Sequence, residues 1–322
     1  MSVLNLILTE LNKVEHKKTP GNYVVVCPFH QDTNPSLNIS IDEGKKVPLG
    51  WCYCMSCGAS KSWNEYASVV GLAKMTKESI AENSLVVRPI KNEIKDNLLS
   101  HSESMTFNDL LAKFQCFISE DIEVDDNWRG FSGRMLSKIG CKSSVDGFGN
   151  RCLIMPVLVD GTLVGGIKAL WEPTGAKGEI KYQNMVGNWS KTHGLFPYDN
   201  AFDLIKRKNL NYIVLVEGSR DALRLIKHSV PAIAILGTQS WGKLKQRLVL
   251  ELPVEKVIVF MDGDRAGIEA TNKITKTLRQ HTIVQPIKTY EYTKKLLEEG
   301  GVGKVDPGNM NIRWLKRLIK TF

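Results

Sequence analysis

Residues 256–267 read KVIVFMDGDRAG, and residues 211–223 read NYIVLVEGSRDAL. Each is a short apolar run that stops at an acid followed by glycine and then a helical pattern. Runs this short and continuous read as strands buried on both faces. The same alternation continues on either side. NYIVLVE is a strand and RDALRLIKH a helix; PAIAILG is a strand and WGKLKQRLVLEL a helix. KVIVFMD is a strand, IEATNKITKTLRQ a helix, and TIVQPIK a last strand. Strands alternating with helices predict a parallel sheet covered on both faces, of doubly wound α/β type.

In such a sheet the C-terminal strand ends share one edge, where ligands bind. Glu217 ends one strand; Asp262 ends another, with Asp264 two residues on. An acid after a strand is often no more than a favourable charge at a helix N-terminus. Three acids at corresponding strand ends predict a carboxylate cluster at one rim instead. Carboxylates packed together call for cations, and oxygen donors suit Mg²⁺ or Mn²⁺.

The second signal is WCYCMSCG at 51–58. Cys54 and Cys57 form one pair with two residues between them, and Cys27 and His30 in CPFH form another. Two such knuckles brought together by a small sheet predict a closed tetrahedral Cys3His zinc site, structural rather than catalytic, one per chain. Cys52 faces the same side of a strand as Cys54 and competes for the place; the tighter Cys54–Cys57 knuckle favours Cys54. Cys116, Cys141 and Cys152 lack knuckle spacing and read as ordinary cysteines.

The rest of the chain is organised around these signals. Residues 1–18 read as an amphipathic helix, with Leu4, Leu8 and Leu11 near one face, rather than as a secretory signal. YVVV, SLNIS and WCYC read as small strands. Ser62 and Glu65 predict a capping box before WNEYASVVGLA, a helical pattern that stops near Met75. Residues 76–104 are polar and aperiodic and read as a linker. A helix is expected near 107–115 and a short one in WRGFSGRMLSKIG, closed by Gly140. CLIMPVLVDGTLVGGIKALWE reads as a hairpin turning at Asp160-Gly161. The expected domains are a zinc module at 1–75, a linker at 76–104, a mixed α/β subdomain at 105–206, and the parallel-sheet domain at 207–322 with a short C-terminal helix.

Composition agrees. The chain has 322 residues, 43 Lys and Arg against 34 Asp and Glu, and a net charge of +9, which favours a polyanionic partner. No run of about 18 apolar residues appears, so no membrane partner is expected.

VEGSRDAL and VIVFMDGDRAG resemble the two hallmarks of the TOPRIM fold of primases, topoisomerases and some nucleases. With CPFH…CMSCG upstream, the order resembles bacterial-type DNA primases and the primase half of phage primase-helicases over almost the whole chain. The resemblance implies synthesis of short RNA primers on single-stranded DNA from ribonucleoside triphosphates. It implies a catalytic set of Glu217, Asp262 and Asp264 around two Mg²⁺ or Mn²⁺ ions, with Glu217 a ligand or a general base. Asp221 would orient the cluster, and Asp306 in KVDPGNM would be the late acid, on a looser match.

GNRCLIMPV, GGIKAL and KYQNMVGNWSKTHGLFPYD resemble the family's basic motifs. They place Arg151, Lys168, Lys181 and Lys191 along the path of template or nucleotide. ILGTQSW resembles the central TOPRIM turn. The zinc module would read the template, with Trp51, Tyr53 and Trp63 either stacking on bases or packing its thin core.

The family also implies a cytoplasmic protein, here of phage or plasmid type, and a separate replicative helicase as partner. GGVGKV lacks the Ser or Thr of a phosphate loop. The basic tail NIRWLKRLIKTF reads as a capping helix or a partner contact. Two rivals stay open: a TOPRIM nuclease, which leaves the zinc pairs unexplained, and a non-catalytic zinc-containing DNA-binding adaptor, which predicts degraded acids.

Overall fold

The structure, a computed structural model, describes residues 2–42, 47–76, 105–175, 179–184, 194–279, 281–298, 305–313 and 316. Two compact units result, one built on Met1–Arg88 and one on Pro89–Gln280 with Val284–Phe322. The expected linker lies almost wholly outside the described residues.

The first unit opens with helix α1 (Val3–Leu11), capped by the Ser2 hydroxyl. The helix ends seven residues earlier than its apolar pattern suggested: after a turn, Lys17–Thr19 form strand β1, paired with β2 (Asn22–Val25). Leu11 and Ile7 are buried, with Leu4 and Leu8 at the margin of the same face. An antiparallel meander follows through β3 (Leu37–Ser40), β4 (Cys52–Cys54) and β5 (Ser60–Lys61). Helix α2 (Trp63–Val70) has the expected capping box, with Ser62 and Glu65 satisfying each other's backbone N–H groups, and ends at Gly71 in the left-handed conformation.

The second unit begins with α3 (Phe107–Lys113), itself started by a Thr106–Asp109 capping box. Strand β6 (Cys116–Asp121) comes next, then a small hairpin of β7 (Asn127–Trp128) and β8 (Phe131–Ser132), and α4 (Gly133–Lys138). The hairpin takes the first half of the stretch expected to be wholly helical. Strands β9 (Lys142–Asp146), β10 (Arg151–Val159), β11 (Thr162–Leu170) and β12 (Tyr182–Asn184) complete an antiparallel sheet ordered β12-β11-β10-β9-β6. Asp160 and Gly161 turn β10 into β11 with φ of 52° and 76°, the left-handed pair that suits a tight hairpin.

After α5 (Tyr198–Lys208) the alternation read from the sequence appears as β13 (Tyr212–Val216), α6 (Ser219–Lys227), β14 (Ala232–Ala234), α7 (Lys243–Glu251), β15 (Lys256–Val259), α8 (Arg265–Leu278), β16 (Ile283–Pro286) and α9 (Thr289–Glu298). The sheet order is β14-β13-β15-β16, with β13 parallel to both β14 and β15. Its side chains alternate between two cores. Val214, Val216, Ile258 and Phe260 join a core shared with the antiparallel sheet. Ile213, Leu215, Val257 and Val259 face a second core closed by α5, α7 and α8. Both faces being apolar is why these strands carry continuous hydrophobic runs.

Candidate functional sites: a thiol–imidazole centre and an acidic sheet edge

The metal-ligating atoms of Cys27, His30, Cys54 and Cys57 all lie within 4.8 Å of one another. The meander makes this possible: Cys27 leaves β2, Cys54 ends β4, and β3 between them sets the register, with Leu37 opposite both Val25 and Cys54. The Sγ atoms of Cys27 and Cys57 are 3.9 Å apart, and Cys54 Sγ is 4.0 Å from His30 Nδ1. Three sulfurs and one imidazole at this spacing fit zinc by donor type and number.

Cys52 points away. Its buried thiol donates to Gly50 O at 3.2 Å, so Cys54 is the member of the quartet. Burial opposes ionisation of Cys54. The Ser36 hydroxyl and the backbone N–H groups of Cys57 and Ser56 outweigh it, holding the thiol below its ordinary pKa.

Asp32, which spacing arguments missed, organises this centre. Its carboxylate accepts from the Ser36 hydroxyl at 2.5 Å and from the N–H groups of Cys27 and Asn34 at 3.2 Å each. It also stands 3.7 Å from His30 Nε2, the ring nitrogen facing away from the thiols. A carboxylate behind a metal-binding imidazole fixes its tautomer and orientation. The Ser36 bond above all lowers the pKa of Asp32. Of the aromatic residues considered for base stacking, Trp63 is excluded: it is 2% exposed and its indole N–H donates to Ala73 O. Trp51 and Tyr53 are half-buried.

At the parallel sheet, Leu215 pairs with Val259. Glu217 directly follows β13, and Asp262 comes three residues after β15 ends. Neighbouring strands are only ~4.8 Å apart, so both acids occupy one rim. The DGDRAG turn needs its second glycine, because a Cβ at Gly267 would come within 2.1 Å of Asp262 O. Asp264 is the N-cap of α8, with Oδ1 accepting the Gly267 N–H at 2.9 Å.

Asp221, in the first turn of α6, is the hub of the acidic edge. Burial, then the charges of Asp262 and Asp306, raise its pKa to about 7. A Cβ at Gly308 would lie 2.8 Å from Asp221 Oδ1 and 2.9 Å from Asp306 Oδ1. The late acid therefore reaches the cluster. Among the described residues, however, only the Cys/His quartet gathers three or more ligand atoms tightly. Glu217, Asp262 and Asp264 share an edge without closing into such a set.

Beside this edge lies a cavity of ≈ 830 Å³. Glu217, Arg220 and Asp221 line it, as do Leu236 and Gly237 after β14, and Arg129, Lys181, Tyr182 and Asn184. Lys181 thus lines the same cavity as Glu217 and Asp221. Arg129, which no motif signalled, does too; its guanidinium donates to Tyr182 Oη at 2.9 Å and Leu170 O at 2.7 Å and stacks over Trp128.

Lys168 and Arg151 are engaged elsewhere. Lys168 pairs with the buried Asp146 at 3.8 Å. Arg151 binds Asp126 at 2.8 Å and Ser143 at 3.0 Å and lies 3.8 Å above the Trp171 ring. Lys191, the GGVGKV stretch up to Lys304 and most of the basic tail lie outside the described residues.

Comparison with known proteins agrees with both centres. Residues 4–82 match the CHC2 zinc finger model, and residues 214–296 match a Toprim-like model. The chain is similar to the DNA primase of Thermotoga maritima, 25% identical over an alignment covering 94% of this chain and 58% of that protein. It is likewise similar to that of Campylobacter jejuni, at 25% identity over 84% of this chain and 49% of the relative. The chain thus spans about half the length of the curated relatives it matches.

Among solved structures, it is similar to the zinc-binding and RNA polymerase domains of Aquifex aeolicus primase. The identity is 18% and the TM-score 0.43, covering 100% of this chain and 85% of that one. The primase fragment of the bacteriophage T7 primase-helicase gives 14% and 0.42, covering 93% and 98%. The CHC2 finger contains the whole Cys/His centre, and the Toprim-like segment contains Glu217, Asp221, Asp262 and Asp264. Among the described residues no helix is long and apolar enough to cross a membrane.

Proposed function

We propose that the chain is a DNA primase, synthesising short RNA primers on single-stranded DNA from ribonucleoside triphosphates. The observation that carries this reading is the pairing of β13 with β15. With it, Glu217 and Asp262 both follow strands at the carboxyl edge of the sheet, and Glu217 and Asp221 line a cavity that Arg129 and Lys181 also line. The similarity to DNA primases over 94% of the chain supports it.

In this reading Asp262, Asp264 and Glu217 hold a pair of divalent ions, Mg²⁺ or Mn²⁺. When bound, they stabilise the attacking 3′-oxygen and the departing pyrophosphate. Asp262 is fixed by the DGDRAG turn. One oxygen of Asp264 caps α8. Glu217 stands on the cavity wall, where it serves either as a ligand or as the base that takes the 3′-hydroxyl proton. Asp221 and Asp306 add charge behind them and deepen the demand for cations.

Lys181, Arg129 and Arg220 line the cavity together with Glu217 and Asp221, where positive charge would neutralise phosphate oxygens without reading sequence. The CHC2 finger, its zinc purely structural, presents Trp51 and Tyr53 to the template. Residues 1–75, 76–104, 105–206 and 207–322 would then be template reader, linker, and the two halves of the polymerising core. A separate helicase would supply the single strand, in the cytoplasm of a phage-infected or plasmid-bearing cell.

The test is incubation with single-stranded DNA templates, labelled ribonucleotides and Mg²⁺, beside Asp262→Asn. Labelled oligoribonucleotides from the native chain and none from the variant are expected. Cut DNA instead would identify a nuclease, and neither product would identify an adaptor.

A further inference from the structure

Asp306 lies about 90 residues after Asp221 in sequence, in a short irregular segment, yet its carboxylate meets that of Asp221. Two like charges do not hold a loop in place; something else must bring Asp306 there. The segment is anchored on one side through Val305. Its N–H donates to Thr293 Oγ1 at 2.9 Å and its carbonyl accepts the Gly263 N–H at 3.0 Å, which ties it to the DGDRAG turn. Asp306 and Asn309 close the loop on itself: Asp306 N–H donates to Asn309 Oδ1 at 3.0 Å and Asn309 N–H to Asp306 Oδ1 at 2.8 Å.

On the other side Met310 is buried in the core and Arg224 grips the backbone. Arg224, one turn after Asp221 on α6, donates from one terminal nitrogen to Pro307 O and from the other to Met310 O at 2.8 Å. The two carbonyls flank Gly308, whose missing side chain leaves room for the Asp221 and Asp306 oxygens. A planar fork with two parallel donors is the side chain that can span two carbonyls at once.

We propose that Arg224 is a positioning residue that clamps segment 305–310 onto α6, and so sets Asp306 beside Asp221 and Asp262 for binding the divalent ions. This rests on the reading of the acidic edge as a metal site. Asp221 and Arg224 lie one helical turn apart, so the helix that carries the hub of the cluster also carries the clamp that brings in its most distant member. The Arg224 charge also offsets, at the two carbonyls, some of the negative potential the loop brings with it. Arg224 touches neither substrate nor ion; it acts through the backbone of the loop.

The experiment is Mn²⁺ binding to the full, zinc-loaded chain, followed by electron paramagnetic resonance of free Mn²⁺. The variants are Arg224→Gln, Arg224→Lys, Asp306→Asn and the double variant Arg224→Gln/Asp306→Asn. Partners one shell away from a metal typically cost ~10–100-fold in affinity when removed. Arg224→Gln is expected to weaken Mn²⁺ binding by about 10-fold, and Arg224→Lys, which keeps charge and packing but reaches one carbonyl, by less. The double variant should bind no more weakly than Asp306→Asn alone, because a clamp has nothing to position once the carboxylate is gone.

Unchanged Mn²⁺ affinity in both Arg224 variants overturns the proposal. So does unchanged affinity in Asp306→Asn, or a double variant weaker by the product of the two single effects. If the native chain takes up no Mn²⁺, the metal-site reading itself fails, a distinct result. Zinc content and melting temperature, measured alongside, separate a lost clamp from a lost fold. Should Arg224→Gln not fold, the lysine variant carries the comparison.

Discussion

Cys52 and Cys54 stand one residue apart on β4 and are both fully buried, yet their thiols do different work. Cys54 faces His30 across the meander, while Cys52 is spent on Gly50 O. Cys54→Ser should therefore abolish stoichiometric zinc, measured by atomic absorption, and Cys52→Ser should not. Asp32→Asn keeps the shape but weakens the grip on His30 Nε2. Zinc affinity in competition with a chelator should fall ~10–100-fold.

Asp221 predicts a pH effect. Its folded-state pKa of about 7 lies above the ordinary 3.8. The native chain thus binds the proton more firmly than the unfolded chain, and stability declines as pH rises from about 4 to about 7. Asp221→Asn removes that penalty. Metal-free Asp221→Asn should be more stable than the native chain at pH 8, by a few kcal/mol at most, and little different at pH 4. Thermal melts at the two pH values check this. Of these residues, the quartet was legible from spacing, because metal ligands recur at fixed intervals. Asp32 was not, because a supporting carboxylate obeys no spacing rule.

At the scale of elements, the turn after β14 shows how a loop becomes a cavity wall. Leu236 and Gly237 both adopt positive φ, and a 3₁₀ turn at Thr238–Ser240 follows. Lys245 of α7 is wholly buried beneath it, donating to Ile235 O and to Ser240 Oγ at 2.9 Å. Lys245→Met replaces the cation with an apolar chain of similar length and leaves Ile235 O without that donor. A loss of ~1–3 kcal/mol is expected in urea unfolding, with greater protease sensitivity near residue 238. The alternation of strands and helices here was evident beforehand, since strands buried on both faces and amphipathic helices leave unlike patterns. The β7–β8 hairpin was hidden: two-residue strands carry too little periodicity to stand out from a neighbouring helix.

For the whole molecule, the two compact units divide the labour of the proposed reaction. A protein lacking residues 1–75 should retain metal-dependent ribonucleotide polymerisation but lose its choice of start site, compared across a panel of templates. The net charge of +9 gives a second expectation. Template affinity should fall steeply between about 50 and 200 mM salt, since each neutralised phosphate releases counterions. Lys181→Ala should reduce that slope while leaving zinc content unchanged.

Local chemistry alone determined that this chain has a thiol–imidazole centre, a parallel sheet and acids at its strand ends. Those features follow from short-range spacing and from the period of apolar residues. Only the tertiary structure decided which cysteine joins His30, that Arg151 and Lys168 are paired within the protein, and that Arg129 lines the same cavity as Glu217 and Asp221. It alone brought Asp306 to Asp221 through Arg224. Each of these depends on contacts between segments tens of residues apart, whose direction and distance leave no periodic trace in the order of the amino acids.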